Sequence, residues 1–292
     1  MKSRVEAGDR LFSLIVYAFI ILVCIVTLYP FIYVVSLSVS NTGSVMRNEV
    51  LFLPKGLNWA AYQTVLTYKG IFVAYGNTLF YTVCGTLLSL GLTTTAAYPL
   101  TRKDWKFRGI ATGFLAITLW FGGGMIPFYL VMKNLHLLDS RVGVLLYAAV
   151  STFYIIIVRS YFDSIPKELL ESAKIDGAND LRIFAGIVLP LSKPVLAAIG
   201  LYYAIGKWNS FFWEMILLNR ESLLPVQALL VRIIRDSSFD KEMQLALTSD
   251  SGVLPITIQY AAVVVTSAPI IFIYPFLQRH FVKGVMIGAI KS

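Results

Sequence analysis

Long stretches without a single charged residue alternate along this chain with short segments that carry most of its lysines and arginines. The charge-free stretches are residues 11–46, 70–101, 109–132, 142–158 and 251–278, and a further apolar run over 194–218 contains only Lys207 and Glu214. A hydrocarbon core about 30 Å thick requires roughly 20 helical residues, so each run can cross, with 142–158 near the lower limit. The pattern therefore predicts an all-α integral membrane protein with six transmembrane helices.

The composition supports this prediction and excludes an ordinary soluble fold. Of the 292 residues, 57% are apolar and 14% are charged, whereas soluble domains carry about 25% charged residues. The net charge of +9 requires no nucleic acid, because the cations mostly flank the apolar runs, where anionic lipid headgroups attract them. Cys24 and Cys84 both lie inside apolar runs, so neither a disulfide framework nor a metal site is expected.

The cations also predict the orientation, because cytoplasmic loops carry an excess of lysine and arginine. They are densest between the second and third apolar runs, at Arg102, Lys103, Lys106 and Arg108. Placing this segment inside puts both termini in the cytoplasm. The first apolar run far exceeds the roughly 7–15 residues of a signal-peptide core, so it is expected to remain as the first helix.

The segment 159–193, between the fourth and fifth apolar runs, is long enough to form a small structure of its own. Ser164 is predicted to cap a helix whose first turn contains Pro166, where the missing N–H of proline costs nothing. Gly177 supplies the left-handed backbone that ends such a helix. A second short helix is predicted from Asn179–Asp180 to Val188.

The first of these two helices is amphipathic. Ile165, Leu169 and Ala173 recur at four-residue spacing and predict one apolar stripe, with charged residues on the other faces. On the pattern alone, two interpretations remain open. The helix–turn–helix is either a cap lying on the lipid headgroups or a docking element for a soluble partner, in which the stripe supplies most of the contact.

The same segment carries a resemblance to a known family. Residues 171–178 read Glu-Ser-Ala-Lys-Ile-Asp-Gly-Ala, and Phe184, Ile187 and Leu189-Pro190 follow at the spacing of the EAA loop of binding-protein-dependent ABC importer permeases. Ser172 departs from that pattern, with serine in place of alanine. Residues 29–36, 97–102, 122–129 and 208–212 resemble the carbohydrate branch of the family, and 283–291 is similar to the tail of the six-helix permease subunit of maltose importers.

This resemblance implies a type I ABC importer permease (MetI-like) fold in the bacterial cytoplasmic membrane, moving a carbohydrate, most closely an oligosaccharide. It implies four kinds of partner besides lipid: a second permease, two ATPases, an external solute-binding protein and the sugar itself. The chain has no G-x-x-x-x-G-K-[ST] motif, so ATP and magnesium are expected on the ATPases, and this chain is expected to be no enzyme and to hold no cofactor.

Residue roles follow from the resemblance position by position. The residues expected to couple to the ATPase are Glu171, Ala173, Asp176, Gly177, Ala178, Ile187, Leu189 and Pro190. In the tail, Lys283, Gly284 and Gly288 are expected at the ATPase interface. Three divisions of the chain are predicted: 1–70 with the first helix and an outer loop, a core permease domain over 71–279, and a cytoplasmic tail over 280–292.

Lys207 and Glu214 are the charges inside the fifth apolar run. A cation at a helix centre costs roughly 2.5–3.5 kcal/mol on insertion scales and usually faces protein or water. Seven residues separate the two charges, which is two helical turns or roughly 10 Å. The residues predicted along the solute path are Tyr203, Lys207, Trp208, Asn209, Phe212 and Glu214. The alternative is that neighbouring helices satisfy the charges and that the aromatics anchor the membrane interface.

Glycines 122–124 and Pro127 lie within the third apolar run, where they are expected to kink the helix or to admit a neighbour closely.

Two other classes compete with the permease. An intramembrane transferase requires acid–base or metal clusters at membrane depth, but His136 and His280 fall on opposite sides and Glu214 is the sole intramembrane carboxylate. An ion-coupled carrier usually shows internal repeats. No repeat is visible, and a carrier has no use for a docking loop.

Overall fold

The computed structural model describes residues 7–235 and 256–272, with side chains from residue 12 onward. The regular elements in this part of the chain are all helices, and its one strand-like feature is an isolated bridge between Ser40 and Leu57. The α-helices are α1 Ala7–Ser38, α2 Thr42–Met46, α3 Ala60–Thr67, α4 Lys69–Thr101, α5 Arg108–Trp120, α6 Met125–Asn134, α7 Arg141–Leu146, α8 Thr152–Asp163, α9 Lys167–Ile175, α10 Asp180–Ile183, α11 Leu189–Leu191, α12 Lys193–Asn209, α13 Phe212–Leu217, α14 Val226–Arg235 and α15 Ile256–Phe272. A π-helix, Phe184–Val188, joins α10 to α11, and a 3-10 helix spans Glu221–Leu223. The predicted all-α fold is confirmed.

The six apolar runs are mainly helical where the structure describes them, but they differ in continuity. Among the described residues, Phe12–Ser38 of α1 and Lys69–Thr101 (α4) are each long and apolar enough to cross a membrane alone, with mean hydropathies of 2.7 and 1.4. The third, fourth and fifth runs are each divided by a short break, into α5 and α6, α7 and α8, and α12 and α13. The α5–α6 pair bends by 119°. Broken helices therefore dominate the middle of the fold.

The break in the third run lies at the glycines that predicted a kink. Residues 121–124 leave the helix, and Gly124 adopts a φ of +81°, in the left-handed region that favours glycine. Pro127 follows in the first turn of α6, where its missing N–H breaks no helical hydrogen bond.

The described residues form two compact units. In the unit that contains α1 and residues 256–269 of α15, a small cluster forms around Leu37, Val45 and Val50, with Tyr33 and Tyr260 packed against it. The most apolar window of α1 buries none of its residues inside the chain. This helix is therefore left for lipid or for another polypeptide to cover.

The second unit contains residues 70–231 and has its largest core cluster between α4, α8 and α12. Ala97, Val158, Ile183 and Ile199 are all at most 2% exposed within it. Away from this cluster, Asn77 near the start of α4 donates its side-chain amide to the carbonyls of Ser222 and Leu224. The core thus places α4 against the segments that precede and follow α12.

An ion pair joins two connections of the second unit. The Asp139 carboxylate accepts hydrogen bonds from the backbone N–H groups of Asn219 and Arg220 at 3.1 and 2.9 Å and from the Arg220 side-chain Nε at 2.7 Å. The Arg220 backbone N–H, reinforced by its guanidinium, holds the pKa of the Asp139 carboxyl below its ordinary value.

We expect Asp139→Asn to lower thermal stability at neutral pH and to have a vanishing effect in acid. A depressed folded-state pKa adds stability above the unfolded pKa of about 3.9, and this contribution is lost as the pH falls through the folded value. Asn tolerates the φ of +51° at this position, so the change leaves the backbone unstrained and removes the charge together with the oxygen that accepts from the Arg220 Nε. The measurement is the difference in unfolding midpoint between wild type and variant from pH 7 to pH 3. A difference independent of pH would contradict it.

Candidate functional site

The amphipathic helix α9 begins differently from the prediction. Ser164 ends α8 instead of capping α9, and its hydroxyl donates to the Tyr161 carbonyl at 2.7 Å. Pro166 occupies the position before Lys167 (the first residue of α9), so the prediction of Ser164 as the N-cap was wrong. The short link leaves Ile165 in the core, because α9 follows α8 with only three residues between them.

The turn after α9 is built on Gly177, as predicted. Gly177 has a φ of +81°, its N–H donates to the Lys174 carbonyl at 3.0 Å, and the N–H of Ala178 donates to the Ala173 carbonyl at 2.9 Å. This pair of bonds is the Schellman arrangement, which satisfies the last carbonyls of a helix. Asp176 forms the C-cap.

The second helical segment starts where the sequence predicted it. The Asn179 side chain accepts a hydrogen bond from the Arg182 N–H at 2.9 Å and so caps α10. The chain then continues through the π-helix and α11 to Leu191, three residues beyond the predicted end at Val188.

The two faces of α9 have different partners. Leu170 and Ala173 pack against the core cluster that also contains Ile165, which is only 7% exposed. On the opposite side, Ile175 is 86% exposed. The predicted docking stripe of Ile165, Leu169 and Ala173 was therefore wrong for Ile165, which is buried in the permease itself, whereas Leu169 and Ala173 reach the surface.

Sequence reasoning missed two exposed apolar residues, Ile175 and Leu181, the latter 76% exposed in α10. One sequence signal could have identified Ile175: it is an isoleucine that lies off the apolar stripe, on a helix face that is otherwise polar. Both flank the Gly177 turn and form the apolar tip of this segment.

A groove joins residues from both halves of the segment. It has a volume of about 420 Å³ and is lined by Leu169, Ser172, Ala173, Asp176, Gly186, Ile187, Pro190 and Leu191. Four of the predicted coupling residues, Ala173, Asp176, Ile187 and Pro190, thus meet at one surface. Glu171 lies elsewhere on α9, and Leu189 is half-buried.

The segment is attached to the end of α4. Arg102 forms an ion pair with Asp180 at 3.1 Å and donates to the hydroxyl of Tyr98, which itself donates to the Asp180 carbonyl at 3.2 Å. The rings of Tyr98 and Phe184 lie 4.8 Å apart. The start of α10 is therefore in direct contact with the end of α4.

The predicted solute-path residues separate into two groups. Tyr203, Lys207 and Glu214 are at most 8% exposed. Asn209 and Phe212 are exposed, with the Asn209 amide donating to the Ile205 carbonyl at 3.1 Å, while Trp208 is half-buried.

Tyr203 and Lys207 lie one turn apart on α12 and bind the break between α7 and α8. The Lys207 ammonium donates to the Tyr147 carbonyl at 2.6 Å. The Tyr203 hydroxyl accepts from the Ser151 N–H at 3.2 Å and shares a hydrogen bond with Thr93 of α4 at 2.8 Å. These two side chains form hydrogen bonds with backbone groups at both ends of the break, where the regular helical hydrogen bonds are interrupted.

Glu214 lies close to this cluster and is 3% exposed, with the Ser210 hydroxyl donating to its carboxylate at 2.8 Å. Next to it, the Trp213 ring packs on Tyr147 and Phe128 at 5.1 and 4.7 Å. The tail residues Lys283, Gly284 and Gly288 lie outside the described residues, as does the predicted tail division 280–292.

Interrupted apolar helices and an amphipathic helix–turn–helix between the fourth and fifth apolar runs are features of the class of membrane permeases. The chain belongs to the family of binding-protein-dependent transport system inner membrane components, whose model matches residues 3–287.

Several relatives that match along nearly the whole chain are permeases of carbohydrate transport systems. The polygalacturonan/rhamnogalacturonan transport system permease protein YtcP of Bacillus subtilis is 37% identical over 284 residues, covering 97% of this chain and 99% of the relative. The arabinooligosaccharides transport system permease protein AraQ of Halalkalibacterium halodurans is 27% identical over 92% and 93% of the two chains. A crystal structure of a bacterial ABC transporter that imports the acidic polysaccharide alginate superposes with a TM-score of 0.88 at 38% identity, covering 94% of this chain and 98% of that chain. This protein is a permease subunit of a carbohydrate ABC importer in a cell membrane.

Proposed function

We propose that residues 167–191 dock this permease subunit onto an ATPase at the cytoplasmic face, with both termini on that side. In this proposal the subunit works with a second permease, two ATPases that hold ATP and magnesium, and an external solute-binding protein. Solute passes between the two permeases as the complex alternates between inward- and outward-facing states.

One observation carries the docking proposal: Ile175 is 86% exposed on a helix whose opposite side is fixed in the core. An isoleucine that a Schellman-capped helix exposes to solvent is suited to contact a partner protein, since burying the side chain contributes about 1.5–3 kcal/mol to the stability of the complex. Leu181 and the adjacent groove extend the apolar surface. The Arg102–Asp180 ion pair then connects the docked segment to α4.

We expect Ile175→Asp to weaken assembly with the ATPase by about tenfold or more, since about 1.4 kcal/mol is a factor of ten. The loss arises from an unpaired carboxylate in the contact and not from misfolding, because the side chain touches little of its own chain. The measurement is co-purification and ATPase activity of the reconstituted complex.

Two variants control this experiment. Ile175→Val should assemble normally, and Leu135→Asp places the same change at an exposed leucine just after α6. Normal assembly of Ile175→Asp would reject the docking surface. Uptake driven by a proton or sodium gradient without any ATPase would reject the ABC mechanism in favour of an ion-coupled carrier.

We further propose that the solute is an acidic oligosaccharide. Two full-length relatives support this, the alginate importer and the polygalacturonan/rhamnogalacturonan permease, and both share more identity with this chain than the arabinooligosaccharide permease does. Loaded with an oligogalacturonate or an oligoalginate, the binding protein should stimulate ATP hydrolysis severalfold more than with a neutral maltooligosaccharide. Equal stimulation by the neutral sugar would contradict the proposal.

Within the solute path, Asn209 and Phe212 remain the candidates for sugar contact because both are exposed. Tyr203 and Lys207 are instead proposed to hold the α7–α8 break, since their polar atoms are buried and bonded to its backbone, and the buried Glu214 carboxylate is engaged by Ser210.

A further inference from the structure

A cavity of about 540 Å³ lies between the α4–α5 connection and the face of α9 that the groove does not use. Its charged lining consists of the cations Arg102, Lys103, Arg108, Lys167 and Lys174 and the carboxylates Asp104, Asp163 and Glu171. Phe162, Ile165 and Leu170 form an apolar floor. The volume falls within the range of about 300–1,000 Å³ that is usual for ligand pockets.

The positive charges in this cavity exceed its own carboxylates. Asp163 pairs with Arg159 at 3.6 Å, outside the lining, and Arg102 pairs with Asp180. In the part of the chain that the structure describes, Lys103, Lys167 and Lys174 form no ion pair. The cavity therefore favours an anion that carries one or two negative charges.

The surroundings indicate a lipid as the source of that anion. Helix α5 starts at the cavity and exposes Ile110 and Phe114 by 74% and 68%, as a helix facing hydrocarbon does. Trp105 and Phe107 are exposed in the connection itself, beside Lys103. Aromatic residues next to cations mark the depth of the headgroups, and basic pockets on the cytoplasmic side bind anionic ones.

We propose that this cavity binds the phosphate of an anionic phospholipid, with the acyl chains lying along α5. The headgroup bridges Lys103 of the connection and Lys174 of α9, and so fixes α9 in the position from which it docks. This inference rests on the proposed cytoplasmic location of the segment. It adds a ligand to the face of α9 opposite the apolar groove.

The test uses the full chain in nanodiscs of phosphatidylcholine with and without phosphatidylglycerol, and counts retained phosphatidylglycerol by native mass spectrometry. Each cation near a membrane surface is worth about a factor of five in affinity, so the double variant Lys103→Gln/Lys174→Gln should bind phosphatidylglycerol about 25-fold more weakly. Lys55→Gln/Lys133→Gln is the matched control and should bind as the wild type does. Unfolding midpoints in pure phosphatidylcholine confirm that both double variants fold.

Unchanged phosphatidylglycerol binding in the folded Lys103→Gln/Lys174→Gln variant would overturn the inference. Displacement of the lipid by millimolar inorganic phosphate would also overturn it, by identifying a free anion as the ligand. Because nanodiscs expose both faces and contain no ATPase, the result is independent of whether the docking proposal holds.

Discussion

Replacing Gly177 by proline should abolish ATP-driven uptake, with a loss of about 100-fold or more. Proline fixes φ near −65°, whereas this position has a φ of +81°, and it removes the N–H that donates to the Lys174 carbonyl. A cost of about 3 kcal/mol for this turn leaves the docking conformation in under about one molecule in a hundred. The measurement is ATP hydrolysis and sugar uptake by the reconstituted importer.

The matched variant is Gly177→Asn, because asparagine adopts the left-handed region more readily than other side chains. No atom lies within 4 Å of a Cβ built at this position, so backbone conformation and not space within the chain decides the outcome. Asn should retain much of the uptake that proline removes. Membrane insertion must be equal in the two variants, and near-normal transport by Gly177→Pro would refute the role of the turn.

Replacing Lys207 by methionine should lower the free energy of unfolding by about 1–3 kcal/mol, the cost of leaving a buried carbonyl without a partner. The ammonium is the hydrogen-bond donor to the Tyr147 carbonyl at 2.6 Å. Methionine keeps most of the side chain's length, including its packing on Gly85, where an added Cβ would lie 3.3 Å from the lysine stem. The measurement is the unfolding midpoint in nanodiscs.

Lys193→Met, at the exposed first residue of α12, is the control and should leave the midpoint unchanged. The experiment also separates the two roles considered for Lys207. A wild-type midpoint combined with a raised KM for sugar uptake would place Lys207 on the solute path and contradict the structural role.

The features that the sequence predicted are those set by local chemistry. Gly177 predicts its turn because few other residues adopt a positive φ, and glycines 122–124 predict the break in the third run for the same reason. The length of the charge-free runs alone predicts that these segments form membrane helices. Asn179 caps α10 through a bond that spans only three residues.

The α7–α8 break could not be predicted in this way. Residues 147–151 contain neither glycine nor proline, and Ala148 takes a φ of +49° although alanine is the best helix former. The break is stabilised by Tyr203 and Lys207, more than fifty residues away in the chain. A buried lysine needs an acceptor, and an interrupted helix supplies one, but only the three-dimensional structure shows that the two meet.

The predicted docking stripe was wrong at Ile165 for a related reason. Four-residue periodicity shows which residues share a face, but not whether that face meets the protein's own core or a partner. Ile165 was therefore assigned to the wrong side, and Ile175 was overlooked.

The bare surface of α1 has a consequence for how tolerance to mutation should be interpreted. Since residues 12–32 of this helix contribute no buried side chain to their own subunit, swaps among leucine, isoleucine, valine and phenylalanine within that range should leave folding unchanged. A saturation screen for transport in living cells would then identify inter-subunit contacts. Any of these α1 positions that does not tolerate such a swap is expected to contact a neighbouring subunit.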